Sequence, residues 1–211
     1  ANAHYNLGII LRDLGNLKEA EISTRKAIEL QPGFAEPYSN LGNILSDLGN
    51  LKEAEILTRK AIKLKPDLAE AHSNLGIILR DLGNLKEAEI SISKAIHINP
   101  DFVRAYYSLS TLKYYKDNRE WQDQLFSEKI LNNKSSQDKV DIYFARSNIL
   151  HKKNYYNESA KYLQLANNIK LSLKQSESNI LIEKSKLLLI ESNKIEINQK
   201  EEGQYPESVF V

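Results

Sequence analysis

The chain has 211 residues, 29 Lys/Arg against 28 Asp/Glu for a net charge of +1, and no cysteine. The charge balance gives no footprint for nucleic acid or a membrane surface, and the absence of thiols excludes disulfides, thiol catalysis and thiolate metal sites. No apolar run approaches the length of a membrane span.

From the N-terminus, NLGIILRDLGNLKEAEIS fills Asn6–Ser23 and recurs at Asn74–Ser91, with a near-copy at Asn40–Leu57, each 34 residues from the last. A period of that length marks a stacked array of helical hairpins. Leu7, Leu11 and Leu14, and their counterparts Leu41, Leu45, Leu48 and Leu75, Leu79, Leu82, form one apolar stripe on a first helix. Gly15, Gly49 and Gly83 follow, and glycine there ends a helix by turning left-handed. A second helix, with Leu17, Ala20, Ile28 and Leu30 in the first copy, closes before Pro32, Pro66 and Pro100. Gly8, Gly42 and Gly76 fall inside first helices, where glycine costs about 1 kcal/mol against alanine. Close approach of the second helix, through Ala20/Ala54/Ala88 and Ala27/Ala61/Ala95, is the compensating gain. Glu21/Arg25 and Glu55/Arg59 are i,i+4 pairs on solvated faces.

The Leu-Gly pair, the later small alanines and the closing proline make residues 1–102 resemble three regular tetratricopeptide repeats. The resemblance implies an all-α, right-handed superhelix of antiparallel helical hairpins, three regular and two degenerate, with a C-terminal capping helix. His4, Tyr38 and His72 stand where such repeats carry tryptophan. The histidines lie two repeats apart without cysteine, so they read as packing residues rather than metal ligands.

Residues 103–170 form the two degenerate hairpins. In the first, Val103–Lys134, Ser110 replaces the glycine, Asp117-Asn118 replaces Gly-Asn, and Gln122 and Lys129 replace the alanines. Trp121 and Phe126 are expected to fill the volume differently, and Asn132–Gln137 reads as a loop. In the second, Val140–Lys170, Tyr143, Leu150, Asn154, Tyr156, Leu163 and Ala166 fit the pattern, while Arg146, Ser147 and Ser159 depart from it. The cluster His151-Lys152-Lys153 falls at a helix end, where cations are favoured. The capping helix is expected within 171–193, centred on Ser178–Ser192. Residues 194–211 read as a polar linker and, in YPESVFV, a short strand that opens a truncated downstream domain. With no initiating methionine, both ends read as the edges of a fragment.

Stacked hairpins present a concave face built from their first helices. The apolar stripe places Asn6, Ile9 and Asp13, then Asn40, Asn43 and Asp47, then Asn74, Ile77 and Asp81 on that face, with Arg12, Ser46 and Arg80 at its flank and Tyr107 at the degenerate end. An amide offers two donors and an acceptor, so the row Asn6/Asn40/Asn74 could hold an extended peptide backbone. These repeats resemble those of the O-linked N-acetylglucosamine transferases, whose groove carries such an asparagine ladder. Local capping by the same asparagines, or their survival after duplication, is the competing reading. The row stops at Ser108 and Ala145.

RAYYSLSTLKYY, the hairpin VDIYFARSNILHKKNYYNESAKYLQLANNIK and PESVFV resemble bacterial proteins that join tetratricopeptide repeats to a sulfotransferase domain. That resemblance implies a repeat scaffold that recruits a protein or extended peptide to the enzyme. The cofactor 3′-phosphoadenylyl sulfate (PAPS) would belong to the downstream domain and none to this chain. No nucleophile–base pair, metal cluster or phosphate loop stands in these residues, so the chain itself reads as non-enzymatic and cytoplasmic, with no nucleic-acid or membrane partner. The alternative is a spacer, or a self-association module acting through the end repeats.

Overall fold

The computed structural model describes residues 1–112 and 119–175, all helices and connections. Asp117-Asn118, the expected capping helix beyond residue 175 and the expected strand lie outside the described residues. The chain divides into two units, Ala1–Ala166 and Asn167–Val211. The first holds α1 (Asn2–Asp13), α2 (Leu17–Leu30), α3 (Ala35–Asp47), α4 (Leu51–Leu64), α5 (Ala69–Asp81), α6 (Leu85–Ile98), α7 (Val103–Thr111), α8 (Arg119–Phe126), a 3₁₀ turn (Glu128–Leu131) and α9 (Ser136–Lys152). A further helix, α10, covers 156–175.

Each first helix of the regular repeats packs against its own second helix, and each second helix packs against the next first helix. The first helices α1, α3, α5 and α7 also touch one another in succession, which makes them the inner layer. Gly15, Gly49 and Gly83 end the first helices at φ +80°, +83° and +84°. In each turn the glycine N–H donates three residues back and the next asparagine N–H donates five back, as in Asn16 N to Leu11 O at 2.8 Å, so the last carbonyls of the helix are satisfied. Asn154 takes the same place between α9 and α10 at φ 64°, a conformation asparagine tolerates.

The helix-internal glycines are explained by contact. A methyl group on Gly8 or Gly42 would overlap the hydroxyl of Thr24 or Thr58, and one on Gly76 would overlap Ile92. The hydroxyls of Thr24 and Thr58 donate to Ala20 O and Ala54 O, and both threonines are fully buried. In the fifth hairpin the glycine–alanine contact becomes Ser147 against Ser159, with hydroxyls 3.0 Å apart and Ser159 donating to Ser147 O. A hydrogen-bonded serine pair thus holds a close approach that glycine and alanine hold elsewhere.

The core follows the stripe. Leu41, Leu45, Ala54 and Ile78 form one buried cluster. A larger one joins Leu79, Ile92 and Ala95 to Tyr106, Leu109, Trp121, Leu125, Ile142 and Ile149. Complete burial of one such aliphatic side chain stabilises by roughly 1.5–3 kcal/mol. Trp121 is buried there and Phe126 packs at its edge, as expected for side chains that replace the small residues. The hydroxyl of Tyr106 lies 2.9 Å from both Pro100 O and the Gln124 carboxamide. Burial, and then Asp101, push its pKa up to about 12. Tyr38 and His72 make the same contact with the loop six residues earlier, to Pro32 O at 3.1 Å and Pro66 O at 2.9 Å. That is the packing role expected at this repeat position.

The basic cluster at the end of α9 caps a neighbour rather than its own helix. Lys152 Nζ donates to Ser110 O at 2.6 Å and Leu112 O at 2.5 Å, at the C-terminus of α7, where carbonyls need cationic donors. Burial lowers the Lys152 pKa. Lys153 Nζ donates to Gln122. α9 itself starts at Ser136, inside the stretch expected as a loop, because Ser135 and Asp138 form a reciprocal capping box.

Candidate binding groove

The inner helices bring their N-terminal and central side chains to one concavity. α1 supplies Tyr5, Ile9 and Arg12; α3 supplies Glu36, Ser39, Asn40 and Asn43; α5 supplies Glu70 and Asn74; α7 supplies Arg104. Lys65, Leu68 and Phe102 close it from the connections, and the space measures about 440 Å³. Ile9, Arg12, Asn40, Asn43 and Asn74 are the expected groove residues that line it. Asn6, Asp13, Asp47, Ile77, Arg80, Asp81 and Tyr107 are not among its lining residues. Asn6 is exposed on α1, and Asp81 pairs with Arg80 at 2.8 Å.

Two of the three asparagines of the row work between repeats. Arg12 Nη1 donates to Asn40 Oδ1 at 3.1 Å, and Asn40 Nδ2 reaches Thr24 Oγ1 at 3.4 Å. Asn74 Nδ2 donates to Ser39 Oγ at 3.0 Å. Both amides are buried. Each therefore ties one hairpin to the preceding one while facing the groove. Asn43 has no side-chain hydrogen bond among the described residues.

The electrostatics are uneven. Lys65 pairs with Glu36 at 2.8 Å on one wall. The Glu36 pKa is lowered: burial is the largest influence and raises it, and the lysine hydrogen bond with other attractions outweighs that. Tyr5 has a raised pKa, from burial first and then from Glu36 and Glu70, with Arg12 opposing. Arg104 has a lowered pKa, from desolvation first and then from Arg12. Arg104 keeps surface exposed to solvent and makes no hydrogen bond or ion pair among the described residues.

Besides Lys65, Leu68 and Phe102 from the connections, five lining residues on the helices were outside the expectation: Tyr5, Ser39, Glu36, Glu70 and Arg104. They occupy two repeat positions, the second and the fifth of the first helix, three residues apart and hence on one face. The signal was present in the chain. Within copies that agree almost everywhere, the first helices differ at Asn2/Glu36/Glu70, Tyr5/Ser39/Ser73, Ile9/Asn43/Ile77 and Arg12/Ser46/Arg80. Each of those positions supplies at least one lining residue of the groove, and the copies also differ at packing positions, as at His4/Tyr38/His72 and Thr24/Thr58/Ile92.

Outside the groove, Arg25 joins Glu21 on its own helix to Glu53 of the next repeat, both at 2.8 Å. Arg59 repeats the device with Glu55 and Glu87. Hydrogen bonding to Glu53 and to Glu87 is the first cause of the raised pKa of each arginine. These pairs are exposed and contribute little each.

Family models described as tetratricopeptide repeat match residues 1–34 and 69–102, 35–68, and 140–172, which together span more than half of the chain. No curated protein matches the chain. Among solved structures, pilF of Pseudomonas aeruginosa is similar with a TM-score of 0.61 and 22% identity, over 79% of this chain and 75% of that one. MamA gives 0.55 and 22%, over 80% and 96%. The O-GlcNAc transferase of Thermobaculum terrenum gives 0.53 and 23%, over 67% of this chain and 25% of the transferase. At these identities the likeness is one of fold. Among the described residues, no helix is long and apolar enough to cross a membrane.

Proposed function

We propose that this chain, which belongs to the tetratricopeptide-repeat family, is a non-enzymatic scaffold that holds an extended protein segment in the groove of its inner helices. One observation carries the reading: the inner helices gather the amides of Asn40, Asn43 and Asn74 with Tyr5, Arg12 and Glu70 around one concavity of about 440 Å³. The amides of Asn40 and Asn74 offer backbone contacts there.

Asn43→Trp fills the concavity without removing an inter-repeat hydrogen bond, and it is expected to weaken capture of octapeptides on an array at least tenfold. The triple change Asn6→Ala, Asn40→Ala and Asn74→Ala is expected to weaken it as well, with the helical circular dichroism retained. Equal capture by the wild type and by Asn43→Trp refutes the groove.

Recruitment to a sulfotransferase is the further part of this proposal, supported by the resemblance of residues 103–170 to the repeats that precede such enzymes. Coding sequence after Val211 that lacks a glycine- and arginine-containing phosphate loop removes it. Self-association is the second reading, and one contrast favours it. Leu7, Ile10 and Leu14 are 46%, 56% and 70% exposed, whereas Leu41 and Ile44, at the same positions one repeat later, are 1% and 0% exposed. Light scattering at micromolar concentration is expected to give a mass above the monomer that Ile10→Lys returns to the monomer; a monomeric wild type ends that reading.

A further inference from the structure

We propose that the outer side of the array carries a second docking site, a cleft between α4 and α6 that takes an amphipathic helix of a partner protein. The helix presents one large apolar side chain to the cleft and an acidic residue one turn away. The cleft shares no residue with the inner concavity, so the proposal stands apart from the groove reading. Its apolar lining is Ile62 of α4, Leu75 of α5 and Ile90 of α6, and its volume is about 410 Å³. That lies within the range of about 300–1,000 Å³ of clefts that hold ligands. Arg59, Lys63 and Lys94 stand among the lining residues, and among the described residues no carboxylate does.

The preceding repeat shows what opens the cleft. At the matching place between α2 and α4, Tyr38 stands for His72, Leu57 for Ser91 and Glu29 for Lys63. Tyr38 and Leu57 pack into one apolar cluster, and Lys60 lies over the Tyr38 ring at 4.5 Å. Imidazole and hydroxymethyl are smaller than phenol and isobutyl, so the third repeat leaves room that the second fills. Glu29 balances Lys26 at 2.9 Å, and its replacement by Lys63 removes the acid. Arg59 is already held by Glu55 at 2.9 Å and Glu87 at 2.6 Å. Lys63 and Lys94 are exposed and make no ion pair among the described residues.

The apolar surface runs past the cleft, which favours a helix over a small anion. Ile90 is 62% exposed and also lines a second hollow with Leu85 at the start of α6. Ile56, its counterpart on α4, is 67% exposed. A small anion would fill the cleft and leave these side chains wet. A helix along the seam covers them, because its residues three and four apart share one face. Seating a leucine in the cleft takes Ile62 and Ile90 out of water with it. An acid one turn away then meets Lys63 or Lys94 at the rim, where charge sets orientation more than affinity.

The test uses fluorescein-labelled helices of alanine and glutamine, about 18 residues long so that they are helical in water, measured by anisotropy against the whole chain. One carries a central Leu with Glu four residues on. Others replace the Leu with Ala, or the Glu with Gln or Lys. The Leu–Glu helix is expected to bind about tenfold more tightly than its Ala counterpart, the gain from burying one leucine. Affinity should fall in the order Glu, Gln, Lys at the second position. Ser91→Leu restores the residue of the preceding repeat and should erase the preference for Leu. Ile90→Ser, at an exposed position with no packing demand, should weaken the Leu–Glu helix several-fold. Lys63→Glu should erase the preference for Glu over Lys, and Asn43→Trp in the inner groove should change nothing.

Equal binding of the Leu and Ala helices overturns the proposal, as does a preference for Leu that survives both Ser91→Leu and Ile90→Ser. Loss of binding on Asn43→Trp assigns the helix to the inner groove and overturns it too. A chain that binds no helix overturns it. If that chain instead sediments with phosphatidylserine vesicles, and Lys63→Glu prevents this, the outer face belongs to a lipid surface.

Discussion

Replacing Arg146 with alanine is expected to lower the unfolding free energy by about 2–4 kcal/mol. Arg146 is 1% exposed and sits on α9 beneath the end of α8. Its Nε donates to Leu125 O at 2.9 Å, its Nη2 to Ser127 O at 3.0 Å, and its Nη1 stands 3.5 Å from Glu128. α8 stops at Phe126, so the Leu125 carbonyl has no continuing helix to serve it, while Ser127 O also accepts from Ile130 N at 3.3 Å. The guanidinium carbon also lies 5.3–5.9 Å from the ring centres of Tyr162, Phe126 and Tyr143. A guanidinium among aromatic faces is stabilised by their quadrupoles.

Alanine would strand the buried Leu125 carbonyl, at about 1–3 kcal/mol, remove one of the two donors to Ser127 O, and leave a cavity. The loss is partly offset because the desolvated charge disappears as well. Arg146→Lys keeps the charge but not the planar fork, so it should recover only part of the loss, and Arg146→Met should recover the packing alone. Urea unfolding followed by circular dichroism measures all three. If alanine leaves the midpoint unchanged, Arg146 is not the link between α8 and α9.

The second large effect is expected at Gly42. Any side chain there meets the Thr58 hydroxyl, which donates to Ala54 O, and lies 3.1 Å from that carbonyl oxygen. Thr58 is fully buried, with little room to turn aside. Overpacking a tight helix contact costs about 1–3 kcal/mol or more, and the gain in helix propensity over glycine returns at most about 0.5 kcal/mol for valine. Gly42→Val should therefore lose about 2–3 kcal/mol net. Gly8→Val meets the same geometry at Thr24, but its hairpin carries the exposed Leu7, Ile10 and Leu14 on its other side. That hairpin can shift outward, so its loss should be smaller. Equal losses at both positions would remove the argument that the neighbours on both sides confine Gly42.

The regular half of the fold was legible because its signals are local. The left-handed glycines, the proline stops and the leucine stripe each act within one hairpin, and the exact copies repeat the message. The fifth hairpin was legible for the same reason, with Asn154 at the turn. Arg146, Ser147 and Ser159 looked only like departures from the pattern. Their purpose depends on partners 12 to 21 residues away, namely the Ser147–Ser159 pair and the Leu125 carbonyl. No local periodicity reports such contacts.

The groove divides the same way. The sequence alone placed Ile9, Asn40, Asn43 and Asn74 on an inner face of the first helices and Arg12 at its flank, because a period of 3.6 residues assigns a face to every position; it placed Asn6, Asp13, Asp47, Ile77 and Asp81 there too, and these do not line the concavity. The tertiary structure alone decided that Asn40 and Asn74 are partly spent on tying hairpins together. It also decided that Glu36, Glu70 and Arg104 join Arg12 in lining the concavity. Helical periodicity sets the direction in which a side chain leaves its own helix. The angle at which successive hairpins stack sets which of those directions converge, and that angle comes from side chains packed across the whole array.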